Sequence, residues 1–595
     1  MLFVFFYDII EIIECRFRKL EDNMKKYHCL NCKTDVDTSE CPICGARTVL
    51  KTKLYWNEEK NIPVISDSVL NHYIGSDIRP VFPEERLLIE ILLNDPLKYI
   101  NSSCWSVGGG VYFIDGNKVE ITIKNLGNID DDHIRNELLK YAPLNSDEAF
   151  DKYVNRFINE HELYYKSLET EAMNYVTEKV QKFDFNSMFV SFSGGKDSTV
   201  VSDLVTRALG TPKVVHIFGD TTLEFPETYD YVKRFRSEHR FTPMLNAKNK
   251  EKDFYEMCEV IGPPSRMMRW CCTVFKTGAI TNYTTNMFKT KKKVLTFYGI
   301  RRSESVSRSK YERESDSPKI AKQRTVSPII DWLDIDVWLY LLTRKIDFND
   351  AYRFGFTRVG CWCCPNNSGW STFLSRIYHP KEFYSFRDLL IRNAKVIGKP
   401  DPEEYVDSGA WRAKQGGEGI EYGKKKVITF ESCATEENAF NYELQKPIDE
   451  NLYEMFKPFG TLNFEMGNKR LGEVYVLDNQ KRILMKLQGK VGQNHLKISI
   501  INFPIANTKT IRDAKGKIQC QLTKFQMCLN CSGCVSTCRF GAIRIKEENG
   551  KLKYRINENK CVHCYECINH YTSGCYMRKV LTIKNADLEE MTKDN

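Results

Sequence analysis

Twenty-two cysteines, most of them at short fixed spacings, constrain this 595-residue chain more than any other feature. Clustered thiols either crosslink a small secreted scaffold or hold metal, and the compartment decides between the two. Residues 1–15 are apolar, but Asp8, Glu11 and Glu14 interrupt them, and the run is shorter than the ~20 residues a spanning helix needs. The stretch also lacks the basic start and small-residue cleavage site of a signal peptide. It reads as an amphipathic helix, or as a start placed too early with Met24 the true beginning. No other segment reads as a membrane span, so the expected location is cytoplasmic, where thiols stay reduced and clusters of them mean metal. With 42% hydrophobic and 28% charged residues the chain is neither disordered nor fibrous. It is too long for one core, and three to five domains are expected. A net charge of +9 suits anionic partners such as nucleotides or RNA without requiring them.

Sixteen of the cysteines fall into sets of four. Cys29-x-x-Cys32 and Cys41-x-x-Cys44 are two knuckles that can offer four thiolates to one tetrahedral ion. That ion is zinc or iron: thiolate-only tetrahedral sites are most often structural Zn2+, and a rubredoxin holds one iron on the same two knuckles. Near the other end, Cys528-x-x-Cys531-x-x-Cys534-x-x-x-Cys538 precedes Cys561-x-x-Cys564-x-x-Cys567 and Cys575. This run resembles a two-cluster ferredoxin domain over residues 520–585, in which three close thiolates and a distant fourth bind each cluster. The resemblance assigns Cys528, Cys531, Cys534 and Cys575 to one 4Fe-4S cluster and Cys538, Cys561, Cys564 and Cys567 to the second, with electron relay as their task. The run departs from the pattern in having Arg539 where proline is usual, and seven residues rather than three ahead of Cys575.

The remaining set is mid-chain: Cys271-Cys272 with Cys361-Trp362-Cys363-Cys364, in which Cys361 and Cys364 join the tandem pair and Cys363 is spare. Its weight comes from its surroundings. Strand-favouring residues 187–190 and Phe192 lead into Ser191-Phe192-Ser193-Gly194-Gly195-Lys196-Asp197-Ser198-Thr199 and then a helical pattern. Strand, Gly-rich turn and helix N-terminus make an anion site, because Gly194 and Gly195 let backbone N–H groups approach a phosphate and Lys196 adds charge. The spacing is not that of a Walker loop. A second strand, residues 213–219, ends at Asp220 and Thr221, the edge where open parallel sheets place their ligands. Then come Arg269-Trp270-Cys271-Cys272 with Lys276, a strand over 294–298, Gly299, Arg301, Arg302, Glu304 and Arg308. Ser327-Pro328, Asp331-Trp332, Asp336-Val337-Trp338, Gly355, Arg358 and Gly360-Cys361 follow.

In this order, residues 185–370 resemble the phosphoadenosine phosphosulfate (PAPS) reductase family, and SGGKDS resembles the pyrophosphate loop of the adenine nucleotide alpha-hydrolase superfamily. The resemblance implies a multidomain α/β fold centred on a doubly wound parallel sheet, with the nucleotide across the strand ends. It implies that Ser191, Ser193, Gly194, Gly195, Lys196, Asp197 and Ser198 hold the phosphates of ATP, with Mg2+, or of an adenylyl sulfate, APS or PAPS. Asp220 and Thr221 would lie near the adenosine or phosphate, and Arg301, Arg302 and Arg308 would neutralise the anionic end. Lys196, Asp197, Arg301 and Arg302 are the residues expected to carry the chemistry. A third 4Fe-4S cluster on Cys271, Cys272, Cys361 and Cys364 would sit beside the nucleotide. Residues 303–327, rich in Ser, Arg and Lys, read as a mobile lid. One family motif is missing. Sulfonucleotide reductases attack with a cysteine in a C-terminal Glu-x-x-Cys-Gly-Leu-His, whereas the region from Asp407 to Gly417 has no cysteine. Cys433 and then Cys363 are the nearest substitutes, each also readable as a plain buried thiol, and the lysine of SGGKDS is typical of members that cleave ATP.

The expected divisions are an extension (1–23), the metal knuckle (24–55), a small α+β domain (60–145), the nucleotide-binding domain (146–420), a small β-rich unit (424–515) and the ferredoxin-like α+β domain (520–585). Within them we expect a helix over 80–93, hairpin strands around Asp115-Gly116, and a helical lead-in over 148–183. The basic runs 291–293 and 424–426 read as solvated faces that could steer a polyanion. The expected function is an iron-sulfur enzyme of reductive sulfur metabolism, by sulfonucleotide reduction or by ATP-dependent sulfur transfer. An outside donor would feed its ferredoxin domain, and a nucleic acid or sulfur carrier would be the acceptor in the transfer case. The alternative is a nucleotide-binding redox sensor, or a nucleic-acid-binding assembly factor, with little turnover.

Overall fold

The computed structural model describes residues 25–66, 70–121, 126, 129–249, 253–266, 269–317, 323–412, 427–528, 530–548, 550–568 and 582–585. The expected ligand Cys575, the extension 1–23 and the basic run 424–426 lie outside the described residues. The knuckle is a three-stranded sheet in the order Thr34–Val36, Lys25–Cys29, Val49–Thr52. Next come two small sheets and the helix Pro83–Leu92, which starts on a proline and carries Glu84 and Glu85 in its first turn, both suited to a helix N-terminus. The strands Val111–Ile114 and Asn117–Glu120 turn through Asp115 and Gly116, both at positive φ as a two-residue hairpin requires.

The lead-in expected as one helical stretch is two helices, Glu148–Glu160 and Glu162–Val180, broken at His161. His161 is buried, donating from Nδ1 to the Phe157 carbonyl (2.8 Å) and accepting the Ile65 N–H at Nε2 (3.1 Å), so only the neutral ring satisfies both contacts. His216 in the central sheet is held similarly between the Ser202 hydroxyl (2.8 Å) and the Val214 carbonyl (3.0 Å). Burial brings both down from 6.5 to about 4. Between those values the unfolded rings bind protons that the folded rings refuse, so this stability is present above pH 6.5 and lost as pH falls through 4. Each shift is worth roughly 3 kcal/mol. Denaturant unfolding at about pH 7 and about pH 4.5 should therefore show a steeper loss for the native chain than for His161→Gln/His216→Gln, and equal slopes would contradict the assignment.

The central sheet has six strands in the order Met244–Lys248, Val215–Asp220, Met188–Phe192, Val294–Phe297, Gln323–Val326, Glu314–Asp316. The first five are parallel. Phe189, Val190, Leu295 and Phe297 are fully buried, as strands covered by helices on both faces require. The edge strand Glu314–Asp316 runs antiparallel, so the described part of the stretch expected as a lid, 303–327, carries a short helix and a strand pair. Ser305 caps the short helix Val306–Ser309, Ser315 pairs with Thr325 across the hairpin, and Arg313 holds Glu171 with two nitrogens while stacking 3.7 Å over Tyr175.

The β-rich unit is a seven-stranded sheet whose last member, Thr582–Asn585, pairs in parallel with Val427–Ser432. Helix Ile511–Met527 leads from this sheet into the first ferredoxin-like thiol run, and one apolar core extends from Ile428 to Ile568. Among the described residues no helix is long and apolar enough to cross a membrane.

Candidate functional site

The strand Met188–Phe192 brings Ser191 to the C-terminal edge of the sheet, and Ser193-Gly194-Gly195 turn the chain into helix Lys196–Ala208. Gly194 has φ +71°, and a Cβ there would stand 2.8 Å from Thr228 Cγ2, so the turn requires glycine. The loop is shaped by its own hydroxyls. Ser198 donates to the Gly195 carbonyl (2.8 Å) and accepts the Ser193 N–H (3.2 Å), while Ser193 Oγ accepts the Gly195 N–H (3.4 Å). Above the loop lies a cavity of about 320 Å³.

Lys196 does not point freely into this cavity. It is 3% exposed, with Nζ 3.0 Å from Asp334 Oδ1 and 3.3 Å from Asp197 Oδ2. Arg301 closes the ring, its Nε 2.5 Å from Asp197 Oδ1 and its Nη2 2.9 Å from Asp334 Oδ1. Burial pushes the Asp197 carboxyl up, but Arg301 and Lys196 outweigh it and hold it at about 2. Asp77, reaching in from the small N-terminal domain, accepts the N–H groups of Asp334 and Ile335 at 3.0 Å each. Burial, with the Asp334 charge beside it, pushes Asp77 up to about 7.

The expected site residues separate at this point. Ser191, Ser193, Gly195, Lys196, Asp197, Ser198, Arg301 and Arg308 line the cavity, and Gly194 forms the turn beneath it. Arg302 does not line it: its guanidinium pairs with Asp331 and donates to the Tyr311 carbonyl (3.0 Å). Asp220 and Thr221 are set back. Asp220 accepts from the Thr222 N–H (2.9 Å) and the Tyr229 hydroxyl (3.0 Å), and Thr221 donates to Glu224 Oε1 (2.7 Å), so Gly219 and Glu224 face the cavity in their place. Lys276, Tyr352 and Arg358 also line it, without having been assigned a role from sequence. Burial and the neighbouring Arg358 bring Arg308 down to about 10, and its guanidinium is paired with Glu304, which lines the same cavity. Lys276 and Arg358 were visible only as motif letters. Asp77 gave no signal, because its role depends on a contact across 257 positions.

The central thiols adjoin the same edge. Thr221 Oγ1 lies 3.5 Å from Cys361 Sγ, residue 361 bridges backbone to Glu224, and the Trp362 N–H donates to the Leu223 carbonyl (2.9 Å). Cys272 opens the π-helix Cys272–Gly278, which carries Lys276 to the cavity. A hydrogen bond from Cys272, then burial and Cys361, raise the Cys271 thiol, and burial raises Cys361. Raised pKa values oppose the thiolate form, so only a bound cation would draw these protons off. Cys271, Cys361 and Trp362 pack on one apolar core, and Cys531 of the C-terminal run packs on that core as well.

Burial likewise raises Cys528 to about 11 and Cys531 to about 12, while Cys538, Cys561, Cys564 and Cys567 line a single hollow. In the knuckle, the sulfurs of Cys29, Cys32, Cys41 and Cys44 lie within 4.8 Å of one another. The Cys29–Cys44 and Cys32–Cys41 separations of 3.7 and 3.9 Å fit the ~3.8 Å edge of a tetrahedron with arms of ~2.3 Å. Among the described residues no thiol lines the cavity above the Gly-rich loop. Cys363 is buried in the apolar core, and Cys433, brought down to about 7 chiefly by the Thr435 hydroxyl, follows the strand Val427–Ser432 of the seven-stranded sheet.

Residues 187–367 match the phosphoadenosine phosphosulfate reductase domain, and residues 527–570 match the 4Fe-4S dicluster domain. An uncharacterized protein of Methanocaldococcus jannaschii is 34% identical over 250 residues, 42% of this chain and 56% of that protein. A second from the same organism is 31% identical over 271 residues, 45% of this chain and 54% of that protein. This chain thus spans little more than half the length of either. The adenosine 5'-phosphosulfate reductase of Staphylococcus saprophyticus is 27% identical over 183 residues, 30% of this chain and 71% of that enzyme.

Proposed function

We propose, from the premise that a phosphoadenosine phosphosulfate reductase domain is here joined to a 4Fe-4S dicluster domain, that the chain reduces an adenylyl sulfate to sulfite with electrons from its own C-terminal unit. The observation that carries this reading is continuity: Glu224 of the cavity wall bridges backbone to Cys361, and Cys361 shares its core with Cys531. In the reaction the sulfur–oxygen bond to the phosphate breaks, sulfur takes two electrons, and AMP leaves with the bridging oxygen. Iron-sulfur clusters, when bound, supply those electrons singly.

The chain's own residues do the rest. The glycine turn and the helix N-terminus bind the phosphate, and Arg308, Arg358 and Lys276 offset the anionic charge. The ring of Lys196, Asp197, Arg301 and Asp334 fixes the loop, so Lys196 acts here as a positioning residue. The knuckle ion is zinc in this reading, held for structure, and the abundance of reduced thiols suits a cytoplasmic setting.

ATP-dependent sulfur transfer, with Mg2+ accompanying the nucleotide and a nucleic acid or sulfur carrier as acceptor, is the second reading. It is favoured by the lack of a thiol among the described cavity residues to accept a sulfonyl group. Anaerobic full-length protein should be incubated with a reduced low-potential donor and, separately, APS, PAPS and ATP. Sulfite with AMP from APS, or with the 3'-phosphorylated nucleotide from PAPS, is the expected result. Pyrophosphate from ATP without sulfite would replace it with the second reading. Binding without any product would leave the sensor or assembly-factor alternative.

A further inference from the structure

The C-terminal unit and the nucleotide domain meet where the short helix Gly533–Thr537 lies against Cys272–Gly278 and Ala279–Met287. The contact is close and specific. Asn282 Nδ2 donates to the Ser536 carbonyl at 2.7 Å, and Asn249 Nδ2 donates to the Ser536 hydroxyl at 2.9 Å. A Cβ on Gly278 would stand 2.7 Å from the Thr273 carbonyl oxygen of its own helix and 3.1 Å from that of Ser536, so glycine allows both the helix turn and the close approach of the two backbones. Ser536 is itself buried and lies between Cys534 and Cys538, while Gly278 ends the π-helix that Cys272 begins. The contact therefore ties a helix flanked by C-terminal thiols to the helix that opens on the central set.

It also distinguishes the two C-terminal runs. Cys531 of the first run packs on the core that holds Cys271 and Cys361. The second run, Cys538 with Cys561, Cys564 and Cys567, lines its own hollow beside the exposed side chains of Phe540 and Val562, and Cys564 is itself exposed. We infer that Asn249, Asn282 and Gly278 form an internal dock that holds the first C-terminal run as the immediate electron donor to the central thiol set. The second run then receives electrons from outside. Each transfer would move one electron inward: the first-run centre would be oxidised as the central one is reduced, the second-run centre would re-reduce the first, and a low-potential one-electron reductant would restore the second. Two such transfers serve each sulfite. Asn249, Asn282 and Gly278 act through the centres they align and are positioning residues.

This inference rests on the proposed reductase reading, and its test separates the two. Full-length protein, Asn249→Ala/Asn282→Ala and Gly278→Val would each be loaded with iron, reduced with dithionite and compared by electron paramagnetic resonance, with amide exchange followed at 272–287 and 533–537. The native spectrum should show a magnetic interaction of the central centre, absent from Cys361→Ser, beyond any coupling between the two C-terminal centres. The double variant should keep its iron, lose that interaction, lose exchange protection at both helices, and oxidise its C-terminal centres at least ten-fold more slowly on adding adenylyl sulfate, with the KM unchanged. Gly278→Val should behave likewise, and the asparagine variant decides if the valine chain folds poorly. Magnetic interaction that the double variant loses, in a native protein that releases no sulfite, would uphold the dock and refute the reductase. Native protein without that interaction, or a double variant that loses protection yet keeps the interaction and the rate, would overturn the dock.

Discussion

Lys196→Met is expected to abolish nucleotide turnover and to lower stability by about 3–5 kcal/mol, the cost of leaving a buried ion network uncompensated. Lys196 and Arg301 together balance Asp197 and Asp334, all four well shielded from water, and without the lysine two carboxylates face one guanidinium. The excess charge would be relieved by protonating Asp334 or by shifting Asp197, and Asp197 sits in the first turn of the helix beside the phosphate loop. Lys196→Met/Asp334→Asn separates the two effects. It restores charge balance and should recover most of the stability without recovering activity, because the loop is no longer tied to residue 334. Denaturant unfolding and product release measure the two quantities. A Lys196→Met protein that turned over like the native one would remove the loop from the mechanism.

The strands that build the site could be read from sequence because both faces of the central sheet are covered, so Met188–Phe192 and Val294–Phe297 are short, nearly unbroken apolar runs. The glycine turn was legible for a related reason: its conformation is written in residue type. The neighbouring arginines were not. Arg301 has extended backbone (φ −122°, ψ 140°), so adjacent side chains leave on opposite sides, and one of two similar residues enters the ring while Arg302 turns to Asp331. Asp220 and Thr221 sit ahead of a turn at Thr222 (φ +63°), which brings Glu224 round to the cavity and sets their own side chains back from it. The break at His161 is invisible to helical periodicity, because Tyr153, Val154 and Phe157 before it and Tyr164, Tyr165 and Leu168 after it all meet one core. The thiol spacings identified the sets, whereas the packing of Cys531 on the same apolar core as Cys271 and Cys361 depends on how separate units meet.

The second large effect concerns where the electrons are stored. If the C-terminal unit supplies them, the protein needs no outside thiol for its first turnover, and a chain lacking the central set stores electrons it cannot use. Three 4Fe-4S centres give about twelve iron per chain, and Cys361→Ser should retain about eight, reduce normally with dithionite, and release no sulfite. The deciding measurement is a single turnover: anaerobic native protein is reduced, freed of excess dithionite by gel filtration, mixed with adenylyl sulfate, and assayed for sulfite. About one sulfite per chain, appearing as the C-terminal centres oxidise, is the predicted result. Fully reduced centres that persist beside unreacted adenylyl sulfate, with sulfite appearing only once an external dithiol is added, would contradict it.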